Sequence, residues 1–285
     1  MPILAEEEFQ FSRFDDEKNP LYRVDDSSDD EEGTEPIDEF DIPTHKVSLQ
    51  ELLFQNIMLV SKEKVYETIQ LIKFEEKEFE TPSVQACINI FGVGCEIDMK
   101  TGFRILDENP HDPTCVYIRG ICHNYGLGNA EKDIDVALRL YQKAADMGSH
   151  HAITTIACQQ AEDLDRCSCK NHEINNALKT AIRMGNYRAC YCLAVHYLHG
   201  CRHNGKKRDI GMRLLKAAAD NFYPIAMHQL AICYNFGIGT DINIPNAITW
   251  YRLAYDYGTM DALDDMIAAV RGTNEYVHRI VLGYI

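Results

Sequence analysis

Residues 125–148 read YGLGNAEKDIDVALRLYQKAADMG and residues 236–258 read FGIGTDINIPNAITWYRLAYDYG. Both open on an aromatic residue and a Gly-x-Gly pair, pass through an apolar pattern of helical period, and close on glycine. The closing phrase recurs: AADMGSHHA ends at Ala152, AIRMGNYRA at Ala189, AADNFYPIA at Ala226 and AYDYGTMDA at Ala262, at intervals of 37, 37 and 36 residues. Cys115 stands one further period of 37 before Ala152. Each anchor opens a first helix with residues at fixed offsets, such as Leu193, Ala194, Tyr197 and Gly200, then Leu230, Ala231, Tyr234 and Gly237. Fifteen residues before each anchor stands Ala137, Ile174, Gly211 or Ala247, at the start of a second helix.

This period describes a helical hairpin. Small residues at the crossing let two backbones approach, while leucine and aromatic side chains fill the space between hairpins. Glycine at the end of the first helix supplies a left-handed cap, as expected at Gly126 and Gly237. One hairpin cannot bury its own apolar face, but five in a stack can.

The phrases at 125–148 and 236–258 resemble the Sel1-like repeat, a relative of the tetratricopeptide repeat, over residues 81–272. Unit three departs from the pattern at Gln160 and Asp163, with Cys167-Ser168-Cys169 in its hairpin loop. Unit one keeps Ala86, Gly92-Val93-Gly94 and Gly102, with a second helix about two residues short. The resemblance implies an all-α, right-handed α/α superhelical solenoid of about five hairpins that acts as a protein-assembly scaffold, with no catalytic residues.

Around the repeats, residues 1–45 form an acidic segment expected to be disordered, because it has too little apolar surface to offset the entropy of ordering. Residues 1–41 hold 16 acids against 3 bases, so most of the net charge of −16 belongs to this tail. Residues 46–80 read as an N-terminal helical segment, with Ser48 and Glu51 spaced as a capping box. Residues 273–285 are expected to form a C-terminal capping helix. No run of eighteen apolar residues marks a membrane span, and the start, MPILAEEEFQ, lacks the features of a secretory signal. Eleven cysteines at irregular spacing then read as reduced thiols in a cytoplasmic or nuclear protein.

Candidate chemistry is sparse. Cys192, His196 and His199 share a helix face, and Cys201 or His203 could complete a zinc shell; the set falls where the repeat leaves residue type free, so a surface without metal is the plainer reading. Cys167-x-Cys169-x-x-His172 is a weaker version. The Gly-x-Gly pairs follow no strand and read as caps, with no phosphate site or cofactor implied. Arg202 to Arg208, with Arg213 and Lys216, is basic enough to meet an acidic partner or the tail, but not nucleic acid in a chain of this charge. In the tail, Phe9, Phe11 and Phe14 suit a short binding motif, and Ser27 and Ser28 before Asp29-Asp30-Glu31-Glu32 suit an acid-directed kinase.

The expected function is therefore a non-enzymatic protein-protein adaptor. Its contacts fall at the free offsets of the first helices: Tyr117 and Ile118, Tyr191, Val195 and His196, and His228, Gln229 and Ile232. Two alternatives remain: a zinc-binding or redox-responsive protein using residues 190–203, and a regulatory subunit whose acidic tail blocks the solenoid.

Overall fold

The computed structural model describes residues 42–43, 46–162, 172–200 and 205–281; the side chains of 161–162, 172, 199–200, 205–207 and 273–281 are not described. Helices start where a polar group can accept the orphan N–H groups of the first turn. Asp112 Oδ1 accepts from Thr114 N at 2.7 Å and Cys115 N at 3.1 Å, and Pro113 follows at the first helical position, where its missing N–H is harmless. Asp133, Asn186 and Asn243 cap later helices in the same way. Gly92, Gly126 and Gly237 end first helices in the left-handed conformation at φ 68°, 68° and 70°.

Among the described residues five hairpins result: α4 (Pro82–Phe91) with α5 (Met99–Glu108), α6 (Pro113–Tyr125) with α7 (Ile134–Asp146), α8 (His150–Glu162) with α9 (His172–Arg183), α10 (Tyr187–Val195) with α11 (Gly205–Asp220), and α12 (Pro224–Phe236) with α13 (Ile244–Asp256). They stack in series, each first helix against its own second helix and the neighbouring unit. The first helix of unit four runs on from α10 as a π turn, His196–Gly200. Unit one has the short second helix, ten residues in α5 against thirteen in α7 and α13. No strand occurs among the described residues.

Small residues make the hairpin crossings close. A Cβ added at Gly120 would lie 2.6 Å from Tyr141 Cε1, so α6 and α7 pack with no room for a larger residue there. In unit four the closing glycine is replaced by Phe222, which still takes the left-handed conformation at φ 64°. Its ring lies 5.5 Å from that of Tyr257.

The series ends on α14 (Asp261–Val281), which packs on α13. Where the sequence suggests a division at residue 272 and a capping helix over 273–285, the helix runs on through that position to Val281, and no proline or left-handed residue interrupts it. Residues 282–285 lie outside the described residues.

Before the repeats come α1 (Leu49–Asn56), α2 (Lys62–Ile72) and the single turn α3 (Glu76–Phe79). Every residue of α1 except Gln50 is buried, including Glu51, Gln55 and Asn56. The helix lies across the starts of successive first helices. Gln50 meets Ser83 and Thr114. Glu51 Oε1 accepts from Tyr187 N at 3.2 Å. Gln55 Nε2 donates to Asn221 O at 2.8 Å, and Asn56 Nδ2 donates to Phe222 O at 3.2 Å. The Phe54 ring sits 4.7 Å from His151 and 5.9 Å from Tyr117. Only half of the expected capping box forms: Ser48 Oγ accepts from Glu51 N at 3.2 Å, while the Glu51 carboxyl turns away to α10.

Candidate functional site

The densest polar cluster lies where α1 meets α8 and α10. Asn186 fixes its geometry. Its Oδ1 caps α10 by accepting from Ala189 N at 2.9 Å, so its amide nitrogen must face the two histidines at the start of α8. Nδ2 lies 3.2 Å from His150 Nδ1 and 3.5 Å from His151 Nδ1. Glu51 Oε2 then lies 3.8 Å from His150 Nδ1 and 3.6 Å from His151 Nε2. Neither Glu51 Oε2 nor His151 Nε2 has a hydrogen-bond partner.

Burial dominates the titration of this cluster. It raises the Glu51 carboxyl to about 8, against the smaller lowering effects of the Tyr187 N–H and the Arg188 charge. It lowers His150 to about 4 and His151 well below its usual range, with His150 and Arg188 adding to the second shift. At neutral pH the glutamic acid holds its proton and both imidazoles are uncharged.

Glu51, His150 and His151 are the one trio of metal-capable side chains that comes together among the described residues. Their chemistry does not suit a cation. Asn186 donates to the His150 nitrogen that faces the carboxyl, and Arg188 brings a positive charge to the same place. The trio is an anchor held from outside: Glu51 ties α1 to unit four through Tyr187 N, Asn186 holds His150, and Phe54 of α1 packs on His151 of unit three. A small cavity of about 10 Å³ beside it, lined by Glu51, Phe54, Gln55, Tyr117, His151, Asn186 and Arg188, has room for one water.

Beside the anchor a polar chain crosses three first helices. Tyr117 Oη on α6 meets Thr155 Oγ1 on α8 at 3.0 Å, and Arg188 Nη1 on α10 donates to the same hydroxyl at 3.3 Å. Arg188 as a whole residue is half-buried. Burial lowers its proton affinity, and Cys158, Tyr117, Tyr223 and Cys192 together raise it by more.

The expected contact residues divide into two groups. Tyr117, Ile118 and Tyr191 are buried and cannot meet a partner in this structure, which corrects that part of the expectation. Tyr117 lies against Phe54 of α1, and Tyr191 packs edge-on against Tyr223 at 5.4 Å. Val195, His196, His228, Gln229 and Ile232 are half-buried. His228 Nε2 is engaged with Asp265 Oδ2 on α14 at 2.7 Å.

Of the proposed zinc set, Cys192 Sγ faces Cys158 on α8, and His196 starts the π turn. The His199 side chain and the whole of Cys201 lie outside the described residues, as do Ser27 and Ser28, Cys167 to Cys169 and most of the basic stretch. Sequence reasoning missed the anchor itself. Its only signal was a short helix, LQELLFQN, with polar residues on a face that the fold nonetheless buries.

A family model for the Sel1 repeat matches residues 115–149, 188–221 and 224–258. The chain carries Sel1 repeats. The three matched units correspond to the hairpins beginning with α6, α10 and α12. Among solved structures, this Sel1-repeat chain is similar to a Sel1 repeat protein from Oxalobacter formigenes at 18% identity and a TM-score of 0.51, covering 70% of this chain and 82% of that one. It is also similar to c5321, a protective antigen of uropathogenic Escherichia coli with an SLR fold, at 14% identity and a TM-score of 0.53. That match covers 73% of this chain but only 44% of the antigen. At these identities the likeness is one of fold. No curated protein matches in sequence. No helix among the described residues is long and apolar enough to cross a membrane.

Proposed function

We propose that this Sel1-repeat chain is a non-catalytic scaffold that binds a protein partner along the first helices of units three to five. The observation that carries the reading is a row of half-buried residues at one repeat position: Cys158 on α8, Val195 on α10 and Ile232 on α12, spaced 37 residues apart. Arg188, His196 and Gln229 flank the row and are also half-buried. A partly exposed apolar line with polar neighbours is the composition of an interface core and its rim. The contact surface thereby moves from the starts of the first helices, which α1 covers, to their later turns.

The test is affinity capture with the full chain and with Val195→Glu/Ile232→Glu, read by quantitative mass spectrometry. The double variant is expected to retain wild-type helicity and to lose the captured partner by at least about tenfold, since truncating or charging interface anchors costs about 2 kcal/mol or more. Equal capture by both proteins would remove the proposed surface.

A further inference from the structure

Among the described residues, Cys95 is exposed and the remaining thiols fall into two classes. Cys87, Cys115, Cys122, Cys190 and Cys233 are buried, and burial pushes each one's proton affinity up, to about 12 for Cys115, Cys122 and Cys233. Such thiols are inert, because the thiolate is the reactive form. Cys158 on α8 and Cys192 on α10 differ in three respects. Both are half-buried, their Sγ atoms lie 2.8 Å apart, and the Arg188 guanidinium is electrostatically coupled to both. A neighbouring cation favours thiolate, and partial exposure admits a small reagent.

We propose that Cys158 and Cys192 are an oxidisable dithiol, a modification site at which a low-molecular-weight disulfide of the glutathione type closes a covalent bond between α8 and α10. The thiolate of one cysteine attacks a sulfur of the reagent, forming a mixed disulfide and releasing one glutathione thiolate. The second cysteine attacks the protein-bound sulfur of that mixed disulfide and releases the other. Two cysteine thiols are oxidised, one reagent disulfide is reduced to two thiols, and the two cysteine protons end on the released glutathiones. A disulfide bond is about 2.05 Å long, so the sulfurs need approach by less than about 1 Å. The resulting bridge joins units three and four across Arg188. The proposal rests on the two thiols and Arg188, not on the scaffold reading.

The experiment treats the reduced full chain with oxidised glutathione, quenches with acid and maps the peptides by mass spectrometry without reduction. The expected product is a peptide pair joined through Cys158 and Cys192, lighter by about 2 Da than the two thiols and reversed by dithiothreitol. Cys158→Ser should leave Cys192 as a persistent glutathione adduct, and Cys192→Ser should do the same at Cys158. Arg188→Met is expected to slow the reaction about three- to tenfold, with Arg188→Lys retaining most of the rate. The oxidised chain should melt about 5 to 10 °C higher than the reduced one. Separate glutathione adducts on both cysteines without a cross-link would overturn the proposal. So would two unmodified thiols in a sample where the exposed Cys95 has reacted.

Discussion

Replacing Glu51 by glutamine removes a carboxyl that the folded chain protonates far more readily than the unfolded chain does. The folded value is about 8 against 4.5 for the unperturbed group, and the residue is fully buried, so solvent does not dilute the effect. Because the folded value is raised, the carboxyl's contribution to stability is fully present below pH 4.5 and is lost as pH climbs toward 8. At about 1.4 kcal/mol per pH unit, the loss is about 3 kcal/mol at pH 7 and about 5 kcal/mol above pH 8. Glutamine carries no titrating proton and can still accept from Tyr187 N. Glu51→Gln should therefore match the wild type within about 1 kcal/mol at pH 5 and exceed it by about 3 kcal/mol at pH 7. The two histidines act in the opposite sense. Their folded values are depressed, so their contribution is present above about pH 6.5 and falls as pH drops toward 4. They are common to both proteins and cancel in the difference. Urea titrations followed by far-ultraviolet circular dichroism at pH 5, 7 and 8.5 measure all of this. A variant less stable than the wild type at pH 8.5, or an offset that does not change with pH, refutes the reasoning.

Three further substitutions probe the packing. Leu52→Ala, at a wholly buried position of α1, should destabilise the fold by about 2 to 5 kcal/mol in urea titration; a loss below about 1 kcal/mol would mean that α1 is not part of the core. Gly120→Ala drives a methyl into Tyr141 and should lower stability by about 1 to 3 kcal/mol, measured by thermal melting. Gly272→Ala is its counterpart: nothing lies within 4 Å of the added carbon on α14, so melting should rise, with a gain of up to about 1 kcal/mol from helix propensity.

The hairpins were legible because their determinants are local. Small residues at a crossing, a glycine that ends a helix and a polar cap that starts one recur at a fixed interval, so each unit repeats the same evidence. The cap at Phe222 shows the limit: the pattern calls for glycine there, and the chain forces a phenylalanine into the left-handed region instead. The anchor was not legible because its determinants are remote. Glu51 stands three residues after Ser48 and reads as half of a capping box, yet its carboxyl accepts from Tyr187, 136 positions away. Tyr117 and Tyr191 read as contact residues for a related reason. Their offsets are those the repeat leaves free, and only the fold reveals that other parts of the same chain fill the space beside them.

The position of α1 also bears on the order in which the molecule can assemble. Stacked repeats ordinarily contact only their neighbours, so folding can begin in any unit and spread. Here the hydrogen bonds from Gln55 and Asn56 reach residues 166 positions later, and that from Val47 reaches one 174 later. During synthesis at about 5 to 20 residues per second, α1 emerges roughly 10 to 30 seconds before its last partners exist. Through that interval α1 can dock only on the earlier units, through Ser83, Thr114, Tyr117 and His151, and the part of it that meets residues 187–222 stays uncovered. Once docked, it couples units one to four, so these units should unfold as one body instead of fraying one at a time.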